Sequence, residues 1–270
     1  MFPGAIADRA DADYVVVGAP LDVSTTFQPG TRFGPDRIRH FSETFDDYDQ
    51  RSGQHFSELA VADHGDVRAW DDAGEYLDYL RGVCTDVVWD DAVPLVLGGE
   101  HTVTLANVRA VEPDVFVCLD AHLDLRSEYD GNELSHATVT RHVLDIADEA
   151  VILGARTGSE AEWDRAAEDD VTVVPVEDVA EWTPDFGDRD VYLSVDIDGA
   201  DPAFAPGTGT MEPFGLTSRE MRDVVRAVGD AGQVTGFDVV EVNDRDDGQA
   251  ASLGGKLLRE FVFADSAASE

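Results

Sequence analysis

Eight short runs in this chain, at residues 14–18, 59–62, 94–98, 115–120, 151–154, 171–174, 191–196 and 236–240, are apolar at nearly every position and rich in valine and leucine. A strand with one wet face alternates apolar and polar side chains. A run apolar throughout is buried on both faces, the condition of a strand inside a helix-covered parallel sheet. The stretches between them, at 72–89, 102–111, 135–148, 159–169, 217–229 and 250–263, repeat apolar residues with helical period. This alternation predicts an α/β fold around an eight-stranded parallel sheet. Thr217-Ser218-Arg219-Glu220 adds a capping-box start for one helix.

The 270 residues show no linker composition, internal repeat, heptad or low-complexity segment, so residues 1–270 are expected to form one domain. Charge is the unusual property: 57 acids face 19 bases, a net charge of −38, and Lys256 is the single lysine. Disordered acidic tails reach such values, but here 43% of residues are hydrophobic and the acids are interspersed with the apolar runs, which leaves a core to form. A body this negative repels nucleic acid and anionic membrane surfaces, so neither is expected as a partner. The same composition predicts a halophilic protein, one that works in concentrated salt. No apolar run approaches the ~20 residues that cross a bilayer, and Met1-Phe2-Pro3-Gly4-Ala5 lacks the basic and apolar regions of a signal peptide, so a cytoplasmic location is expected. In a reducing compartment Cys84 and Cys118 are expected as small buried hydrophobes rather than a disulfide.

In open parallel sheets ligands bind beyond the carboxyl ends of the strands. Run 94–98 leads there into Gly99-Glu100-His101, run 115–120 into Asp120-Ala121-His122-Leu123-Asp124, and run 191–196 into Asp196-Ile197-Asp198. Residues two apart share one side of an extended backbone, which predicts Asp120, His122 and Asp124 on one side and Asp196 with Asp198 on another. Four carboxylates and two imidazoles then converge. Like charges so close at the apolar mouth of a sheet force protonation or unfolding unless a cation sits among them. A carboxylate-rich set with two histidines favours a harder divalent ion such as Mn²⁺ over structural zinc, which takes Cys and His. Two ions about 3.5–4 Å apart acidify a shared water, which is hydrolytic machinery. Each segment alone reads as loop polarity or a turn bonded to its own backbone; the coincidence of three points to a metal site. The Pro- and Gly-punctuated loops at 28–35 and 201–210 match no phosphate-cradling pattern, so nucleotide binding has no support.

Gly98-Gly99-Glu100-His101, Asp120-Ala121-His122-Leu123-Asp124 and Ser194-Val195-Asp196-Ile197-Asp198-Gly199-Ala200-Asp201-Pro202 resemble the three signature segments of the ureohydrolases, the arginases and agmatinases. The likeness runs from Gly18-Ala19-Pro20-Leu21-Asp22 to Gly236-Phe237-Asp238-Val239-Val240-Glu241-Val242-Asn243. It implies a three-layer α/β/α sandwich around the eight-stranded sheet. It also implies that His101 and Asp124 hold one Mn²⁺, that His122 and Asp198 hold a second, and that Asp120 and Asp196 bridge them. A hydroxide between the ions would attack the guanidinium carbon, and the tetrahedral intermediate would collapse to urea and an amine. Glu241 matches the family's guanidinium-binding glutamate, a carboxylate being able to accept two N–H donors of a planar fork. His136, in Leu134-Ser135-His136-Ala137-Thr138, matches the family's proton-shuttling histidine, a role suited to a near-neutral pKa. His40, His55, His64 and His142 match no such position. Relatives form trimers and hexamers, which implies a homo-oligomer.

Within the family, substrates differ at the end far from the guanidine. Segment 125–135 resembles agmatinases, and its three acids and one arginine suit a cationic tail. Ala155-Arg156-Thr157-Gly158-Ser159-Glu160 lacks the acid after the arginine that arginases use for the α-amino group. Residues 25–35 are also agmatinase-like, although Gln28 stands where many relatives have arginine. Met211 and Phe214 bulk up a loop where the family commonly reads Thr-Pro-Glu-Pro-Gly-Gly, and are expected to alter the channel or a subunit contact. The resemblance therefore implies an Mn²⁺-dependent agmatinase producing putrescine and urea. Arginine, guanidinobutyrate and aminopropylagmatine are the alternative substrates. A non-catalytic regulatory subunit is the alternative of another class, against which the retention of all six ligand positions, Glu241 and His136 argues.

Overall fold

In the computed structural model, which describes residues 1–68, 70–231 and 233–268, the apolar runs form a single eight-stranded sheet. Residues 69, 232, 269 and 270 of the expected single domain lie outside that description. The strands are β1 (Tyr14–Ala19), β2 (Val61–Asp66), β3 (Val93–Gly98), β4 (Val115–Leu119), β5 (Glu149–Leu153), β6 (Val171–Val174), β7 (Val191–Asp196) and β8 (Val234–Val240). All pair in parallel, in the order β2-β1-β3-β8-β7-β4-β5-β6. The helices are α1 (Gly34–Ser42), α2 (Ala73–Trp89), α3 (Thr104–Val111), α4 (Val139–Val143), α5 (Glu160–Ala166), α6 (Ser218–Asp230) and α7 (Gln249–Ala268).

Because successive side chains point to opposite faces of a strand, the apolar runs feed two cores at once. On one face Val16, Leu95, Leu193 and Phe237 pack under Ile38 of α1, Val225 of α6 and Phe261 of α7. On the other, Val15, Val17 and Val96 meet Leu80 and Cys84 of α2 and Ala106 of α3, while Phe116 and Tyr192 meet Leu105 of α3 and Val139 of α4. Ala166 of α5 covers Ile152. Three layers result, as the resemblance implied, and both cysteines are buried and unpaired. No described helix is long and apolar enough to cross a membrane.

The strand order builds the site. β3 and β4 are consecutive in the chain, but β8 and β7 lie between them, so the carboxyl ends of β3, β8, β7 and β4 stand side by side. Leu97, Val239, Val195 and Leu119 share one row of the pairing register. One residue further on lie Gly98, Val240, Asp196 and Asp120.

Three elements differ from expectation for identifiable reasons. Residues 28–35 read as loop, yet α1 begins at Gly34 with proline in its first turn. Its inward face carries Arg39, whose buried guanidinium pairs with Asp63 at 2.9 Å and Asp66 at 2.5 Å. That pairing is the partner with which β2 runs on past its apolar residues to Asp66, through a register shift opposite Val16 and Val17. The helix expected over 135–148 is a 3-10 turn at His136–Thr138 followed by the short α4. Most of the paired acids are exposed as expected, but Asp246 is not plain surface: its carboxylate accepts from Arg37, Gly248 and Ala250, closing the start of α7.

Gly99 shows how tightly the ends of β1 and β3 cross. A Cβ there would lie 1.9 Å from the Leu21 carbonyl oxygen and 2.6 Å from its nitrogen. Backbone cannot yield as a side chain can, so Gly99→Ala is expected to cost about 3 kcal/mol or more, lowering Tm by roughly 6–12 °C for a chain of this size. A melting curve superimposable on the parent's would contradict this.

Candidate metal centre and substrate cavity

The structure brings His101, Asp120, His122, Asp124, Asp196 and Asp198 together beyond β3, β4 and β7. His101 Nδ1 lies 2.9 Å from Asp124, 3.4 Å from Asp120 and 3.5 Å from Asp196. His122 Nδ1 lies 3.0 Å from Asp198 and 3.6 Å from Asp120. Two groups of donors thus share Asp120. Strand alternation is not what assembles them, because β4 ends at Leu119 and residues 197–199 form a 3-10 turn. Asp120 Oδ1 accepts the His122 amide at 2.7 Å and Asp196 Oδ1 accepts the Asp198 amide at 2.9 Å, so each closes a turn over its own backbone. Their other oxygens face His101. Asp124 completes the set from a left-handed backbone, φ 51°, a conformation that costs of order 1 kcal/mol or more for a non-glycine residue and gathers at functional sites.

The protonation pattern describes what these donors lack. Burial, with Asp198 and Asp120 adding to it, pushes the Asp196 carboxyl well above its ordinary range. Burial and Asp120 raise Asp124 to about 6. Burial also works against Asp120, but the two imidazoles outweigh it and hold that carboxyl below its usual value. Burial opposes charge on the imidazoles too, yet the facing carboxylates win, lifting His122 to about 12 and His101 well above normal. With protein atoms alone, imidazole protons supply the positive charge that four clustered aspartates require. Oxygen and imidazole donors crowded around missing positive charge fit divalent cations.

A hydroxyl network fixes which histidine nitrogen faces the cluster. Ser194 Oγ donates to Asp238 Oδ1 at 2.6 Å, so it can only accept from His101 Nε2, 3.2 Å away. Nε2 therefore carries a proton, and Nδ1 is the nitrogen that could face a cation. Asp238 is wholly buried and accepts further hydroxyls from Tyr192 at 2.6 Å and Thr104 at 2.7 Å. Cys118 Sγ sits behind, 3.9 Å from the same Nε2 and 3.8 Å from Asp120. Burial, with Asp120 adding to it, pushes its thiol up to about 12, and its sulfur lies close enough to His101 and Asp120 to share a cation with them.

Beside the cluster, Glu241 has a left-handed backbone of φ 62°, and its Oε1 accepts the His101 amide at 2.8 Å. Its Oε2 is buried with no hydrogen-bond partner among the described residues. His136 Nδ1 is 3.4 Å from Glu241 and Nε2 is 3.1 Å from Thr26 Oγ1. Burial opposes charge on this ring, but the Glu241 carboxylate prevails and raises it to about 9. A cavity of about 300 Å³ opens over the cluster, lined by His122, Asp124, Asp196, Asp198, His136 and Thr26 and extending to Arg126, Tyr129 and Glu162.

The acids of segment 125–135 that were expected to receive a substrate tail, Glu128, Asp130 and Glu133, are exposed and do not line this cavity. Apart from the cluster aspartates, the acid that does is Glu162, buried at 4% exposure, 3.0 Å from Arg126. Arg156 is a clamp: its guanidinium donates to the carbonyls of Gly154, Asp198, Gly199, Ala200, Glu212 and Pro213. Met211 and Phe214 lie outside the cavity, Phe214 at 86% exposure. His40, His55, His64 and His142 take no part in the cluster. The sequence reading missed Asp238 and Ser194, although a lone acid or serine inside an otherwise apolar run is a legible signal of an internal partner.

An eight-stranded parallel sheet thus carries, beyond the ends of β3, β4 and β7, a set of His and Asp donors that could hold divalent cations. The pattern of the arginase family matches residues 12–264, and the chain belongs to that family, a hydrolase of guanidino amidines. It is 35% identical to an agmatinase of Bacillus cereus, over 94% of this chain and 92% of that one. It is 34% identical to the N(1)-aminopropylagmatine ureohydrolase of Thermococcus kodakarensis, over 94% and 91%. The solved agmatine ureohydrolase of Thermoplasma volcanium superposes with a TM-score of 0.91 at 33% identity, covering 98% of this chain and 94% of that one.

Ions that bind only the folded site stabilise it by mass action, by about 2.7 kcal/mol at a hundredfold excess over Kd. Protein stripped by a chelator is therefore expected to gain roughly 5–10 °C in Tm when a divalent ion such as Mn²⁺ is restored at that excess. No gain with any divalent ion would contradict the fit.

Proposed function

We propose that this chain is an agmatinase-type ureohydrolase that holds two Mn²⁺ per subunit and hydrolyses agmatine to putrescine and urea. The observation that carries the reading is Glu241 Oε2, a buried acceptor beside the cluster with no donor among the described residues. Leaving such an atom unsatisfied costs of order 1–3 kcal/mol, and an N–H of a guanidinium would satisfy it. In this reading His101, Asp120, His122, Asp124, Asp196 and Asp198 would hold the two ions between them. The bound ions would neutralise the aspartates and acidify water. Glu241 orients the planar guanidinium. His136 carries the proton for the departing amine: a cation bound to Glu241 offsets the charge that holds that proton, which then transfers more readily.

For the tail, the ammonium of agmatine would be received by Glu162, with Arg126 displaced from it. A second reading follows from Arg126 itself, since a guanidinium on the cavity wall suits a substrate ending in a carboxylate, such as guanidinobutyrate. The surface charge supports the further proposal that the protein is halophilic, because Asp46, Asp47, Asp71, Asp72, Asp90 and Asp91 are all exposed; a cytoplasmic homo-oligomer is proposed with it on the family resemblance alone. Self-repulsion among such groups is screened as the Debye length shrinks from about 10 Å at 0.1 M salt to about 3 Å at 1 M.

With Mn²⁺ in molar KCl, urea is expected from agmatine well above arginine or guanidinobutyrate, with Arg126→Ala leaving agmatine turnover intact. Dilute buffer is expected to reduce both activity and assembly. Urea from arginine but not agmatine would overturn the substrate assignment; loss of guanidinobutyrate turnover in the variant would favour the second reading.

Because the acid form of His136 is the working one and Glu241 raises its pKa to about 9, kcat/KM is expected to fall as pH rises through that region. Glu241→Gln removes the largest raising contribution, leaving the smaller ones of Asp124 and Glu100, so the residual activity should lose its alkaline limb at lower pH than the parent. An unmoved limb would separate His136 from the titration.

A further inference from the structure

Glu100 is wholly buried one residue before His101, yet it is not built as an ion ligand. Its Oε2 accepts the amides of Val23 and Ser24, both at 2.7 Å. Its Oε1 accepts the hydroxyls of Ser24 at 2.7 Å and Thr102 at 2.9 Å. Four donors fill the lone pairs of a carboxylate. Three of the four belong to the chain leaving β1, so the acid ties that loop to the end of β3.

Ser24 is the junction. Its one hydroxyl proton goes to Glu100, which leaves Oγ to accept the backbone N–H of His136 at 2.9 Å. Two residues on, Thr26 Oγ1 lies 3.1 Å from His136 Nε2, and both residues line the cavity. The opposite ring nitrogen faces Glu241 at 3.4 Å. His136 is thereby held at its backbone by Ser24 and at its ring between Thr26 and Glu241. The loop has a separate closure of its own, since Asp22 accepts Thr25 Oγ1 and the Gly30 amide, both at 2.8 Å. Glu100 is not needed for the loop to form; it sets where the loop sits.

We propose that Glu100 is a positioning residue which, through Ser24, fixes the 22–26 loop and with it the proton-donating geometry of His136. The assignment rests on His136 as the donor to the leaving amine. Misplacing a catalytic group by about 1 Å costs up to about a hundredfold in rate. Loss of the junction is thus expected to act on the chemical step more than on binding.

Ser24→Ala removes the junction, Ser24→Thr keeps the hydroxyl, and Glu100→Gln removes the charge. Kinetics on the guanidino compound hydrolysed fastest are expected to show kcat lowered about 10- to 100-fold in Ser24→Ala and Glu100→Gln, with KM within about threefold of the parent and Ser24→Thr close to the parent. Amide hydrogen exchange followed by NMR is expected to be at least about tenfold faster at His136 in Ser24→Ala, with β4 amides unchanged, since that amide has lost its acceptor. Parent-like kcat in both Ser24→Ala and Glu100→Gln overturns the proposal. If the parent hydrolyses no guanidino compound, the functional reading fails, and the exchange result alone decides the anchoring: unchanged protection at His136 in both variants overturns it.

Discussion

Four aspartates held within a few ångströms of one another at the apolar mouth of a sheet set the terms for the rest of this structure. Isolated, such a group would be expelled, protonated or unfolded. Here three of the four acids are given a second engagement that fixes their direction. Asp120 and Asp196 each accept a backbone amide two residues on, and Asp198 accepts Thr210 at 3.0 Å and the Ala121 amide at 3.2 Å. The His101 imidazole is turned by groups behind it, Ser194 and Asp238. The strand order serves the same end, since inserting β7 and β8 between β3 and β4 is what allows three separate segments to face one another.

Much of this was legible in the sequence. Eight runs apolar at nearly every position point to strands of a helix-covered sheet, and all eight are strands, buried on both faces except where β2 and β6 carry exposed residues. The six clustering residues were identifiable because strand ends are where such sheets bind ligands, even though the reason given for their convergence, strand alternation, is not the one the backbone uses. Asx-type turns and one left-handed aspartate do that work. The helix α1 escaped notice because its buried face holds Arg39, a residue that reads as solvent-facing until its partners Asp63 and Asp66 are known from the fold. Glu162 escaped for a related reason. Its burial depends on packing between α5 and the segment carrying Arg126 and Tyr129, a long-range contact that local pattern does not encode.

The acidic composition is resolved by the same distinction between local and long-range. Most acids are exposed, while some of the few bases reach a buried carbonyl or carboxylate. Arg39 joins α1 to β2. Arg259 donates to the carbonyls of Asp46 and Asp47 and lies over the ring of Phe56, 4.6 Å from its centroid. With so few cations, each one that reaches the interior replaces what several apolar contacts do elsewhere.

The Arg156 clamp has a mechanical consequence. One planar guanidinium joins the end of β5, the backbone of Asp198, Gly199 and Ala200, and the far side of the loop at Glu212 and Pro213. These three stretches move together or not at all, because a displacement of any one breaks hydrogen bonds to the other two. The loop that bears Met211 and Phe214 outward is thus coupled to a cluster aspartate by a few bonds. Whatever presses on that exposed edge, whether solvent or another subunit, pulls on the same lever that aims Asp198.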